Sequence, residues 1–124
     1  MVLATSMFIT VTSLRLRSLW GFFRLSWLGL KISLQARKSK GFVQMKNTGF
    51  GYLHFTASLW ESEEDLKAFA RTGAHLAAMR QGSSLASEIR THTYAGARLP
   101  SWKEVRALLH AKAPTQPGQE TRSA

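Results

Sequence analysis

Along this chain the spacing of apolar residues switches between a period of two and a period of three to four. The order of those switches restricts the fold more than any single residue does. Alternation marks a strand whose two faces differ, and three- and four-residue spacing marks a helix with one apolar stripe. Phe8 to Leu16 reads as a strand rich in β-branched and apolar residues, with Leu14 and Leu16 alternating against Arg15 and Arg17. Its apolar face changes register around Ser13, so a bulge is expected there. Ser18 to Gln35 reads as a helix capped by Ser18. Leu19, Phe22, Phe23, Ser26, Trp27 and Leu30 make its broad apolar face, while Arg24, Lys31 and Gln35 project elsewhere.

After the polar run Arg37-Lys38-Ser39-Lys40-Gly41, the segments Phe42–Lys46 and Tyr52–Trp60 read as a hairpin turned through Asn47-Thr48-Gly49-Phe50-Gly51. Within the second strand Leu53, Phe55, Ala57 and Leu59 face one way, and Tyr52, His54, Thr56, Ser58 and Trp60 the other. Ser62-Glu63-Glu64-Asp65 opens a second helix, with acids in the first turn where its dipole favours them. Gly73 ends or bends that helix, Leu76 to Met79 starts another turn, and Gly82-Ser83-Ser84 marks the exit. Glu88 to Tyr94 is a fourth strand, Ile89, Thr91 and Thr93 alternating against Glu88, Arg90, His92 and Tyr94. A last helix opens at Pro100-Ser101-Trp102-Lys103-Glu104, where Ser101 and Glu104 have capping-box spacing.

The order is therefore βαββαβ with a short C-terminal helix, an α+β ferredoxin-like sandwich occupying residues 8–111 between an N-terminal tail (1–7) and a disordered polar tail (112–124). Right-handed crossovers put both helices on one sheet face. The other face must also be covered, and two sheets packed as a dimeric α/β barrel would do so. A homodimer through the mixed face of Tyr52, His54, Thr56, Arg90 and His92 is the expected assembly.

A chain of 124 residues suits one domain, and with no cysteine it has no disulfide or thiolate chemistry. The net charge is +10, and no acidic residue precedes Glu61. Such asymmetry steers a protein toward nucleic acid, anionic membrane surfaces or acidic ligands. The N-terminus makes a poor signal peptide, and Arg24 and Lys31 interrupt the apolar run from Leu19 to Leu34, so a cytoplasmic protein is expected. A nucleophile elbow, a phosphate loop, a dinucleotide fingerprint and a hydrolytic zinc cluster are all missing from the sequence.

The junction Trp60-Glu61-Ser62-Glu63-Glu64 resembles that of antibiotic-biosynthesis-monooxygenase-like dimeric α/β barrels. Leu19-Trp20-Gly21-Phe22-Phe23, Ala68-Phe69-Ala70-Arg71-Thr72-Gly73-Ala74-His75 and Pro100-Ser101-Trp102 resemble spheroidene-monooxygenase-like proteins in particular. The resemblance covers roughly residues 8–110 and implies oxygenation of a hydrophobic isoprenoid or polycyclic polyketide molecule, in some relatives without a cofactor and in others with haem. Between the second and third strands only Gly49-Phe50-Gly51 stands where the spheroidene enzymes carry a longer glycine-rich stretch.

Three histidines are the candidate catalytic groups. His75 would reach a cleft, and ligate haem iron there, only if Gly73 breaks its helix; on an unbroken helix it faces solvent. His54 and His92, on the more polar sides of their strands, are candidate bases or orienting groups. Trp20, Phe23, Trp27 and Trp60 supply walls for a flat hydrophobic small-molecule ligand in a cavity between sheet and helices, with Met79 and Tyr94 beside them. The bland alternative makes these aromatics ordinary core. Arg24, Arg71 and Arg80 are candidate partners for the propionates of a haem or the acid group of another ligand, and Arg90 belongs with Tyr94 to the polar strand face that would orient an oxygenated substrate. Two other classes remain open: a non-catalytic ligand-binding or assembly module of the same fold, and a basic peripheral protein on anionic membrane or nucleic acid.

Overall fold

The computed structural model of the chain describes residues 7–73, 80 and 82–112. Its elements are β1 (Phe8–Leu16), α1 (Gly21–Arg37), β2 (Phe42–Phe50), β3 (Leu53–Trp60), α2 (Glu63–Ala70), α3 (Gly82–Leu85), β4 (Ala86–Ala95) and α4 (Trp102–His110). The four strands pair antiparallel in the order β2-β3-β1-β4. This is the ferredoxin-like α+β arrangement that the spacing predicts.

Local signals were overridden where strand pairing competed with them. β2 runs on through Asn47 and Gly49, which pair with Thr56 and His54, so the loop shrinks to Gly51-Tyr52. Gly51 takes φ +66, which a two-residue hairpin loop needs at its first position. α1 begins at Gly21 rather than Ser18. The Ser18 carbonyl accepts the Gly21 amide at 3.1 Å in a preceding turn, and the N-cap is Trp20, with no side-chain cap.

The bulge expected at Ser13 falls instead between Arg15 and Leu16 in the β1–β4 pairing. The apolar pattern of β1 switches sides for another reason. Ile9 and Val11 pack toward α4 on one face, whereas Leu14 and Leu16 pack toward α1 on the other.

On the α4 side, Ile9, Val11, Phe55, Ala57 and Leu59 form one core with Val105 and Leu109. The capping box starts α4 as expected: the Glu104 amide donates to Ser101 Oγ at 3.2 Å and the Ser101 amide to Glu104 Oε1 at 3.0 Å. At its other end Arg90 Nη1 donates to the carbonyls of Lys112 (2.9 Å) and Leu109 (3.4 Å). The apolar part of the face expected to be bare is therefore covered from within the chain.

On the opposite side, Ala36, Trp60, Leu66 and Phe69 make a second cluster, joined by Phe8, Ile32, Phe42 and Met45. Leu16, Leu28 and Leu85, with Leu14 and Leu25, make a third. Ser62 caps α2 by accepting the Asp65 amide at 3.1 Å. Gln35 Nε2 ties α1 to the end of α2, donating to the Thr72 carbonyl at 2.9 Å.

Candidate ligand-binding site

The expected aromatic wall does not face the sheet. Gly21, Leu25, Leu28, Ile32 and Ala36 form the inner stripe of α1. A Cβ added at Gly21 would lie 3.3 Å from the side chains of Leu16 and Leu85, so the small residue sets how closely the helix approaches. Trp20, Phe23 and Trp27 lie on the outer stripe and are 82%, 68% and 62% exposed. They wall no cavity against the sheet. Trp60 is fully buried, packed against Phe69 (ring centroids 4.8 Å) and Phe42 (5.6 Å), and its Nε1 donates to Ser58 Oγ at 3.0 Å. In this structure it is core.

The two strand histidines are on opposite faces. Residues directly paired across antiparallel strands share a face; Leu14 is opposite His54, and Val11 is opposite His92. His54 belongs to the α1 side, 5.7 Å from the ring of Phe22. Its Nε2 is 2.8 Å from the Gly51 carbonyl, which can only accept, so Nε2 carries the proton and the ring fastens the hairpin loop. Nδ1 lies over the Gly49 backbone, 2.5 Å from where a Cβ would stand.

His92 stacks on Tyr94 at 5.2 Å on the α4 side, and Arg90 shares that face. Burial, then the Lys112 cation, push His92 below the usual imidazole range. Burial, then the Glu104 carboxylate, push Tyr94 upward. The expected dimer patch of Tyr52, His54, Thr56, Arg90 and His92 thus combines loop, α1-side and α4-side residues that form no common surface.

Among the cations, Arg24 Nη2 donates to Ser84 Oγ at 3.3 Å, Arg71 is the exposed C-cap of α2, and Arg80 is exposed. His75 and Met79 lie outside the described residues. The break that His75 would need is present: α2 ends at Ala70 and Gly73 adopts φ +57. Haem requires an axial nitrogen facing a flat apolar slot. Among the described residues His54 is committed to its hairpin, His92 to Tyr94, and His110 is exposed on the last turn of α4, so these do not form a haem site. No group of three or more metal-ligating side chains occurs among the described residues.

A different feature emerges from the register. Asn47, Thr56, Thr12 and Thr91 line up across all four strands, and Ser58, Thr10 and Thr93 form a second row beside them. The pleat puts both rows on the face that carries α1 and α2. They divide the apolar packing there into its two clusters, one around Trp60 and one around Leu16. Thr10 and Thr93 are hydrogen-bonded at 2.9 Å, while Thr12, Thr56 and Thr91 are half-buried.

Above these rows α1 carries Phe22 against His54, Gly29, and Ser33 against Met45, on the same side of the helix by their spacing. A Cβ at Gly29 would meet no other atom within 4 Å, apart from the helix backbone and the adjoining residues. Space is thus open beside Gly29, on the side of α1 that touches His54 and Met45. The sequence signal for them was the hydroxyl-x-hydroxyl triplet repeated in three strands: Thr10-Val11-Thr12, Thr56-Ala57-Ser58 and Thr91-His92-Thr93. A separate hollow of about 570 Å³, lined by Met7, Val43, Glu61, Ser62 and Asp65, is wide open to solvent at the β3–α2 junction.

No protein-family profile matches the chain, and no curated protein does. Solved structures do match. SnoaB, a cofactor-independent oxygenase from Streptomyces nogalater, superposes with TM-score 0.62 at 8% identity over 76% of this chain and 96% of its own. A candidate antibiotic biosynthesis monooxygenase from Nitrosomonas europaea gives 0.66 at 11% over 77% and 95%. A protein of unknown function from the same organism gives 0.64 at 15% over 79% and 98%. The fold is that of the antibiotic-biosynthesis-monooxygenase-like proteins. At these identities the similarity is one of fold.

Proposed function

We propose that this chain is a monooxygenase-like protein that holds a flat, largely apolar molecule bearing oxygen substituents between the hydroxyl rows of its sheet and α1. The observation that carries the reading is the open space beside Gly29, on the side of α1 that touches His54 and Met45, whose strands β3 and β2 also carry Thr56, Ser58 and Asn47 of the hydroxyl band. Neutral hydroxyls both donate and accept, so they suit ketone and hydroxyl groups, while the partly buried Met45 and Leu14 at the edges of the flanking clusters supply apolar contact. His54 borders the band, but its contacts favour holding the loop over moving a proton.

A hydroxyanthraquinone, whose absorption shifts with its surroundings, is a suitable binding probe. Saturable binding is expected, weakened about tenfold by paired Thr12→Val and Thr91→Val substitutions. Gly29→Leu should abolish it by filling the space while leaving the chain folded. Equal affinity in wild type and all variants would overturn the site. Oxygen uptake with an anthrone tests turnover separately.

A further inference from the structure

α1 presents a second apolar stripe to solvent. Trp20, Phe23, Trp27, Leu30 and Leu34 recur at spacings of three and four, and each is at least half exposed. On a helix at about 100° per residue they fill a strip about 80° wide, directly opposite the inner stripe and roughly 20 Å long. An apolar strip of this kind on a soluble surface marks an interaction site.

Charge identifies the partner. On the helical wheel Lys31 and Arg24 flank the strip on one side and Arg37 on the other, and Lys31 Nζ lies 5.8 Å over the ring of Trp27. Acidic residues are missing from the whole segment up to Glu61. A second copy meeting this strip through the same helix would bring cation to cation, with no carboxylate in that segment to relieve the repulsion. Nucleic acid would meet the cations but leave the aliphatic line of Leu30 and Leu34 against its phosphates.

We infer that the outer face of α1 is a docking surface for an anionic lipid bilayer. The helix would lie in the membrane plane, with tryptophans at headgroup depth and cations among the lipid phosphates. The segment does not span: no helix among the described residues is long and apolar enough to cross a membrane. Because this strip faces away from the hydroxyl band, the inference stands independently of the ligand reading.

The test uses the full chain with phosphatidylcholine vesicles, prepared with and without phosphatidylserine. Expected are co-sedimentation that depends on phosphatidylserine, a blue shift of tryptophan emission, and weakening as salt rises. Trp20→Ser combined with Trp27→Ser should lower partitioning about tenfold or more, and Lys31→Glu by more than about fivefold. Both variants change exposed side chains, so their thermal unfolding should match wild type. Should the double variant unfold, Lys31→Glu alone decides. Equal partitioning by wild type and a folded variant would overturn the inference. So would a wild-type dimer that Trp27→Ser dissociates without any vesicle binding, or retention of single-stranded oligonucleotide in place of vesicles.

Discussion

The two faces of the sheet are made by the same strands and differ in continuity. Under α4, Ile9, Val11, Ala57 and Leu59 meet Val105 and Leu109 in a single apolar cluster. Under α1 and α2 the layer is interrupted by rows of threonine and serine, and its apolar contacts fall into two clusters. Apolar burial stabilises by about 25 cal/mol per Å², so the interrupted face forgoes packing that the other face keeps. One face holds the domain together. The other keeps a band of polar, half-buried hydroxyls.

The contrast makes its largest prediction in the core. Leu109→Ala removes a side chain that is 2% exposed and should destabilise by about 2–5 kcal/mol in urea unfolding. Thr12→Val, nearly equal in volume but on the hydroxyl face, should change stability by less than about 1 kcal/mol. If the two substitutions cost the same, the faces are energetically alike and the contrast fails.

A smaller effect is expected at the start of α4, which closes the continuous face. Ser101→Ala removes the hydroxyl that caps the Glu104 amide and should cost about 1 kcal/mol. Backbone and side-chain hydrogen bonds at Ser101 hold the Glu104 carboxyl below its ordinary range. A depressed carboxyl contributes stability above its unfolded pKa and loses it as pH falls through the folded one. Glu104→Gln should therefore flatten the acid limb of the stability curve. Unchanged acid limbs would show that ionisation of Glu104 contributes no measurable stability to the box.

How far the sequence revealed these faces depended on how local the signal was. The capping box and the apolar alternation of β3 are short-range patterns, and both are present as read. The orientation of α1 was not legible, because it is apolar on two opposite stripes and its largest side chains lie on the outer one. Size suggested burial there. Close approach at Gly21 instead selected the smaller aliphatic stripe. The grouping of His54 with His92 failed for a different reason. Which residues of β1, β3 and β4 share a face depends on register, and polarity within a single strand does not fix it. The hydroxyl rows were present as triplets, but each triplet alone reads only as β-propensity.

The smallest predicted effect concerns the electrostatics of the α4 face at His92. His92 lies there with Tyr94 stacked on it, Arg90 and Glu88 on the same face, and Lys112 beyond the end of α4. Burial and Lys112 both disfavour its charged form, so its folded pKa lies below the unfolded value of about 6.5. Above that value the residue is neutral in both states and contributes no pH dependence. As pH falls below it the unfolded chain takes up the proton first, so stability declines until the folded histidine is protonated as well. His92 is only partly buried, so solvent screening keeps the decline well below the Ser101 effect. His92→Phe keeps a ring against Tyr94 and removes the proton site. Its unfolding midpoint should be flat through the mildly acidic range where that of wild type slopes downward. Parallel slopes in the two proteins would show that neither burial nor the cation of Lys112 disfavours the charged ring.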